Sequence, residues 1–549
     1  MLKKILNHIK KDFPIYFGLV ILLSLLFKNP FSLRTQIPNF APFPDSFHYL
    51  SPARCFVNGD GFDMCLKNNE GTNQSVPPVY SILMIPFFII SSDPRNIYFL
   101  NVLLSIISLV ILYKIFQKLT KNKLIISLSL FIYTTTYLTY WFPALVMAEN
   151  VLLPLFLAAI YLLTLKPNNK RVIVAGLIAA GMYGTKYAAL GLFAGYSAIY
   201  SLYLINNRKK DKKTWSKLFL FISIALIFYF LFGGWGTVKG LIRFIQPIAF
   251  QTGIAKSVAP SAQTDSWYAS PKYMIDNLSF YFNSFILGTP LRILWDTRVL
   301  LPIIISLSSV IGLIMGVINK KTRWMSTSLI ALSVAQIVPI LPFYAADGRY
   351  AITLFPTLII GFTIFLKLID EKLKKIKKSP YIFHALIVVI ALFFSLLRFK
   401  DLKLQLVLNL KYAETPWWYV ATQTMNDCFL SNSFEKKPYL ITLTSPFYLD
   451  YFGNGKYYSL PLSESQDFRK GASDRVWGIS KEKPLIETYS SLLEEGNPVY
   501  ITNYGINATE GFKNEFKLIE ETFELTKVNE GCYDLCNIYE LKLKKNTDI

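Results

Sequence analysis

Long apolar runs alternate with short, lysine-rich polar segments along most of this chain, and the alternation predicts its architecture. Apolar runs at 13–28, 96–116, 124–143, 147–165, 172–185, 187–205, 218–235, 300–318, 325–343, 351–369 and 381–397 are long enough, or nearly so, to cross a hydrocarbon core of about 30 Å. They predict a polytopic α-helical membrane protein with about eleven transmembrane helices. Two stretches between runs are too long to be plain connectors. The first, 29–95, predicts a helix from Asp45 to about Val57, with Asp45 as N-cap and Phe47, Tyr49, Leu50, Ala53 and Phe56 suiting a membrane interface. A turn at Asn58-Gly59-Asp60-Gly61 follows, and the short run 79–90 predicts a juxtamembrane or re-entrant helix. The second stretch, 236–299, together with Trp235 just before it, carries the interfacial aromatics Trp267, Tyr268, Tyr273 and Trp295.

The pattern changes near residue 399. Strand-like runs at 439–444, 498–503 and 537–543, with helix-like runs at 416–430 and 484–495, predict a small soluble α/β domain over 399–549, after a transmembrane domain over 1–398. This C-terminal part has no glycine-rich phosphate fingerprint, so its strands do not imply a nucleotide site. Neither an inverted nor a parallel internal repeat is visible, which weakens a transporter reading.

Composition agrees: 53% hydrophobic and only 17% charged residues leave too little polar surface for a soluble globule of 549 residues. The formal charge of +22 raises the question of a polyanionic ligand, and its location answers it. Segments 1–12, 114–123, 166–171, 206–217, 319–323 and 367–378 hold 26 Lys or Arg against four acids, Asp12, Asp211, Asp370 and Glu371, an excess of 26 − 4 = 22. Basic residues are retained on the cytoplasmic side, so the charge encodes topology and no nucleic-acid partner is expected. With an odd number of spans, the N-terminus is cytoplasmic and the C-terminal domain extracytoplasmic. Asp45 then lies on the outer face of the cell or inner membrane. The first run follows Lys3, Lys4, Lys10 and Lys11 without a small-residue cleavage site and predicts an uncleaved signal anchor. Cys55 with Cys65, and Cys532 with Cys536, are candidate disulfide pairs that leave Cys428 over. Sequons at Asn73, Asn277 and Asn507 all fall on the predicted outer side.

Four ionisable residues sit at the predicted outer ends of spans: Asp45, Glu149, Lys186 and Arg349. Each also has a structural role open to it. Asp45 can cap its helix, Glu149 can complement a helix dipole, and Lys186 can snorkel from a turn. Arg349, in Asp-Gly-Arg-Tyr at 347–350, precedes an apolar helix whose dipole disfavours a cation, so it calls for an anionic partner: Asp347 or a ligand phosphate. Two acids and two cations at one membrane face suit an enzyme that activates a hydroxyl while cations hold a phosphate leaving group. Other signals carry less. The three histidines, His8, His48 and His384, lie on separate segments and do not suggest a metal cluster. Asp60 and Asp63 suit a solvated turn, and Trp417-Trp418 lacks a following Asp.

In their order along the chain, these elements resemble the GT-C superfamily of membrane glycosyltransferases, in the branch of protein O-mannosyltransferases and lipid A aminoarabinose transferases. The resemblance spans roughly residues 1–400. It rests on Asp45, Tyr49, Ala53 and Gly59 in the first outer loop, on Pro77-Pro78-Val79-Tyr80, on Ala148-Glu149, on Gly184-Thr185-Lys186 and on Arg349-Tyr350. It implies a glycosyltransferase moving one sugar from a polyprenyl-phosphate donor to a lipid, glycan or protein acceptor on the outer face, by a single inverting displacement. Asp45 would take the acceptor proton. Lys186 and Arg349 would bind the departing phosphate, Glu149 would orient sugar or acceptor, and Tyr49, Tyr80 and Tyr350 would line the donor site. The lipid tail would lie among the helices and membrane lipids. No cofactor is expected, since the cations can replace a metal. Two departures matter: Asp45-Ser46 stands where protein O-mannosyltransferases have Asp-Glu, which weighs against a protein acceptor, and no Trp-Trp-Asp element is present, which weighs against whole-glycan transfer to Asn. The alternatives are a flippase of lipid-linked saccharides and a membrane anchor presenting 399–549; the second would leave the four ionisable residues scattered.

Overall fold

A computed structural model of the chain describes residues 2–30, 44–59, 61–62, 77–206, 213–235, 272–293, 296–342, 346–374, 379–410, 417–444, 446–453, 455–463, 483–508, 510–528 and 537–544. Helix α1 (Leu2–Leu26) bends at Asp12, whose backbone leaves helical geometry there, and Tyr113 donates to the Asp12 carboxylate at 2.7 Å. The first long stretch forms α2 (Pro44–Val57) and α3 (Val79–Ile90), as its pattern predicts. Gly59 and Gly61 follow α2 at φ of 85° and 89°, left-handed values that favour glycine and end the helix in a turn.

The next helices are α4 (Ile97–Leu119), α5 (Lys123–Thr135), α6 (Tyr137–Trp141), α7 (Glu149–Leu162), α8 (Asn169–Thr185), α9 (Leu190–Asn206) and α10 (Thr214–Tyr229), the last running into a π-turn over Phe230–Gly234. After α11 (Lys272–Phe285) comes a hairpin of β1 (Pro290–Ile293) and β2 (Asp296–Val299), then α12 (Ile303–Ile318), α13 (Arg323–Ile337), α14 (Leu354–Leu373) and α15 (Ser379–Leu410). Most of the described residues of each apolar run thus lie on helices, the structure in which a backbone in hydrocarbon satisfies its own N–H and C=O groups. Four of these segments, Pro94–Leu119, Tyr187–Asn206, Thr214–Gly234 and Tyr381–Val407, are long and apolar enough to cross a membrane unaided; a fifth is the pair α5 and α6, bent by 58°. The chain is an integral membrane protein whose apolar helices differ in length. Small residues let some of them approach closely: a Cβ on Gly361 of α14 would stand 2.5 Å from the Ser309 carbonyl of α12.

Helix α15 runs unbroken through residue 399. Beyond it lie α16 (Trp417–Leu430), β3 (Tyr439–Thr442), α17 (Pro446–Gly453), β4 (Tyr458–Pro461), α18 (Leu485–Glu494), β5 (Val499–Thr502), α19 (Glu510–Thr522), β6 (Phe523–Lys527) and β7 (Ile538–Leu543). The strands form one sheet in the order β4-β3-β5-β7-β6, parallel across its first three strands and antiparallel across its last three. Period-two alternation divides its side chains: Ile441, Leu460 and Ile501 pack in one core, Leu440, Tyr500 and Ile538 in another.

One expectation is corrected. Cys428 is not left over: both it and Cys55 are disulfide-bonded. In one of the sequons, the Asn277 side chain is buried and its amide donates to the Leu341 carbonyl at 2.7 Å. Asp60, Asp63, Cys65, Asn73, Trp267, Tyr268, Trp295, Cys532 and Cys536 lie outside the described residues.

Candidate active site

The site is built around the short loop that enters α7. Two buried amides fix that loop. Asn101, inside α4, donates to the carbonyls of Pro143 and Leu145 at 3.1 and 2.9 Å, and Asn150 donates to those of Phe142, Leu145 and Met147 at 3.1, 2.8 and 3.1 Å. Backbone groups that cannot join a helix are thereby satisfied out of water. The loop delivers Glu149 as the first residue of α7, at the positive end of the helix dipole and almost fully buried.

Lys186 follows α8, whose Gly184 allows close packing: a Cβ there would stand 2.8 Å from Val79 at the start of α3. From this position the Lys186 ammonium ion-pairs with Glu149 and lies 4.8 Å from the ring centroid of Tyr350. The Arg349 guanidinium carbon lies 5.5 Å from the same Tyr350 centroid. Asp347 supplies the anionic partner that Arg349 calls for: one carboxylate oxygen accepts the Arg349 backbone N–H at 2.8 Å, and the other lies 3.2 Å from its Nε. Glu149, Lys186, Tyr350, Arg349 and Asp347 therefore form one continuous cluster, drawn from three separate stretches of chain. Asp347, Arg349 and Glu149 are all buried, and the Lys186 side chain is 14% exposed.

Tyr80 and Tyr49 border this cluster. Tyr80, on α3 outside the spanning runs, donates to Asn101 Oδ1 at 2.8 Å; burial raises its phenol above the ordinary value, which keeps it a donor. Tyr49 packs on it with ring centroids 5.4 Å apart. Asp45 is the second residue of α2. The next residue, Ser46, donates to Met147 Sδ at 3.9 Å, so the start of α2 lies beside the loop leading to Glu149. Of the residues singled out in the sequence, the structure joins Glu149, Lys186, Arg349 and Tyr350 directly and sets Tyr80 and Tyr49 next to them; the side chain of Asp45 is not among those described. Sequence reasoning missed Asn101 and Asn150. Their signal was a polar amide within or at the start of an apolar run, where such a group needs a partner.

Residues 75–232 match the family described as dolichyl-phosphate-mannose-protein mannosyltransferase. The whole chain is similar to the crystal structure of ArnT from Cupriavidus metallidurans in the apo state, with a TM-score of 0.55 and 11% identity, over 96% of this chain and 97% of that one. The same protein bound to undecaprenyl phosphate gives a TM-score of 0.55 at 10% identity, with 96% and 97% covered. The chain shares the fold of ArnT. The crystal structure of the Archaeoglobus fulgidus oligosaccharyltransferase tethered with an acceptor peptide is also similar, with a TM-score of 0.50 and 12% identity over 98% of this chain and 75% of that one. No curated protein matches the sequence. The matched family segment contains Tyr80, Asn101, Glu149 and Lys186, but neither α2 nor Arg349-Tyr350.

Proposed function

We propose that the chain is an enzyme that transfers a single sugar from a polyprenyl-phosphate donor to a hydroxyl or similar group of a lipid, glycan or protein acceptor, on the outer face of the membrane. The observation that carries this reading is the gathering of Lys186 and Arg349 around one tyrosine ring, each next to a carboxylate, at the ends of apolar helices. Cations held this way by protein dipoles and counter-charges are organised before a phosphate arrives and need little rearrangement to stabilise it. An ammonium has three N–H donors, so Lys186 can keep Glu149 and still offer donors to a phosphate oxygen. The family match and the undecaprenyl phosphate bound by ArnT support a lipid-phosphate donor.

In the displacement, the acceptor oxygen attacks the anomeric carbon opposite the phosphate, and the carbon–oxygen bond to phosphate breaks with its electron pair leaving on the phosphate. The configuration inverts. Asp45 accepts the proton of the attacking hydroxyl, Lys186 and Arg349 take up the charge gained by the phosphate, and Glu149 holds Lys186 and orients sugar or acceptor. Tyr49, Tyr80 and Tyr350 line the donor side. No metal is required in this scheme. The N-terminus is cytoplasmic and 399–549 forms an extracytoplasmic domain over 1–398.

The test is sugar transfer in proteoliposomes from defined polyprenyl-phosphate sugars, comparing wild type with Asp45→Asn at equal folded protein. A loss of about 100-fold or more supports the general-base role. Normal transfer by the variant moves that role to another residue, and no transfer by either protein with any donor favours a flippase or an anchor.

A further inference from the structure

Besides the disulfide-bonded Cys55 and the contact of Ser46 with Met147, the helix that bears Asp45 is held by aromatic packing on two faces, and one of these supports comes from the far end of the chain. On one side Tyr49 packs on Tyr80 of α3, with ring centroids 5.4 Å apart. On another, Phe47 and Arg54, seven residues and two turns apart on the same stripe of α2, both meet Tyr451 of α17. The Phe47 and Tyr451 centroids are 5.2 Å apart at 64°, an edge-to-face pair, and the Arg54 guanidinium lies 4.1 Å from the Tyr451 centroid. Phe452 adds a second ring, 6.3 Å from Phe47. Phe47 is wholly buried and Tyr451 nearly so.

A single aromatic ring thus spans two turns of α2, beginning two residues after Asp45. Helix α2 needs such support: it has 14 residues, and Pro52 in its interior removes a backbone hydrogen bond. Helix α17 is itself anchored in the C-terminal sheet region. Leu449 is buried in one of its cores, and Tyr457 donates to Asn426 Oδ1 at 3.0 Å while its ring lies where a Cβ on Gly453 would be, 2.7 Å away. Any slide or rotation of α2 moves Asp45 relative to Glu149 and Lys186, and misplacement of a reacting group by about 1 Å can lower a rate 100-fold.

We propose that the C-terminal region sets the position of α2 through Tyr451, which acts as a positioning residue for the transfer reaction; the inference rests on the function proposed above. The experiment uses the full chain in proteoliposomes, with two readouts: hydrogen exchange of the α2 amides and steady-state sugar transfer. In Tyr451→Ala, α2 exchanges faster while α12 and α14 keep wild-type protection. Its kcat falls about tenfold or more with the donor KM within about twofold of wild type, the pattern of a lost transition-state alignment. Tyr451→Phe keeps the ring, the edge contact and the cation–π pair, and it matches wild type in both readouts. Unchanged exchange in α2 overturns the proposal, and so does faster exchange with kcat unaltered. Should Tyr451→Ala loosen the whole chain, Tyr451→Leu, which keeps bulk without the ring, is judged by the same two readouts. If wild type transfers no sugar, it is the proposed function that fails, and exchange in α2 still decides whether Tyr451 holds it.

Discussion

Lys186 and Lys374 are both lysines just past a helix end, and both pair with a carboxylate. Lys186 is 14% exposed and reaches Glu149, 37 positions away on another helix, which is itself 1% exposed. Lys374 is 62% exposed and reaches Asp370 one turn back on its own helix, at 2.5 Å. The second arrangement belongs to the lysine-rich segments whose charge sets topology, and it needs no tertiary structure: an i, i+4 pair follows from helix geometry. The first exists only because α7 and α8 pack against each other. Arg349 and Asp347, also buried, belong with it. At Lys374 the ammonium stands in water although Asp370 beneath it is buried; at Lys186 both partners are shielded, where electrostatic interactions are stronger.

The comparison is tested most severely by Lys186→Met. Removing one partner of a buried pair leaves Glu149 uncompensated, and the expected loss is about 3–5 kcal/mol of stability, read as a fall in the thermal or denaturant midpoint. On the proposed mechanism transfer should drop about 100-fold or more, since the cation assigned to the leaving phosphate is gone. Adding Glu149→Gln should restore much of the stability and none of the transfer; recovery of both would reduce the pair to a structural tie. Arg349→Lys keeps the charge but not the planar fork beside Asp347 and Tyr350, and about a tenfold fall in transfer is expected from steady-state assays. Asn101→Leu leaves the Tyr80 hydroxyl and the loop carbonyls without their partner and should lower stability by about 1–3 kcal/mol in the same unfolding experiment. At the small end, Lys374→Gln should change stability by about 1 kcal/mol or less, because the ammonium stands in water even though Asp370 is buried, and should leave transfer alone. If it instead matched Lys186→Met, the contrast between the two ends would collapse.

Much of the fold was legible in the sequence because its signals are local. A helix opening at Asp45 and ending near Val57, a short helix over 79–90, and strands near 439, 499 and 538 all form where patterning puts them. Length was less legible, since apolar composition alone does not show that the run at 124–143 bends by 58° between α5 and α6. The site was legible residue by residue. Glu149, Lys186 and Arg349 stood out because charge is rare at membrane depth. That Glu149 takes Lys186 and Asp347 takes Arg349 could not be read, because pairing depends on how helices meet. Asn101, Asn150 and Tyr451 escaped notice for the same reason: an amide or a tyrosine has no distinctive chemistry until its neighbours are known.

That the chain is an apolar-helical membrane protein with its excess positive charge in short polar segments is written locally, since hydrophobic periodicity and charge placement act within a few residues of where they stand. That residues 149, 186, 347, 349 and 350 share one cluster, that two buried amides shape the loop beside it, and that a tyrosine some 400 positions along the chain packs on the helix of Asp45 depends on the folded arrangement. Those contacts arise from the packing of distant elements, and their strength comes from the exclusion of water that packing creates.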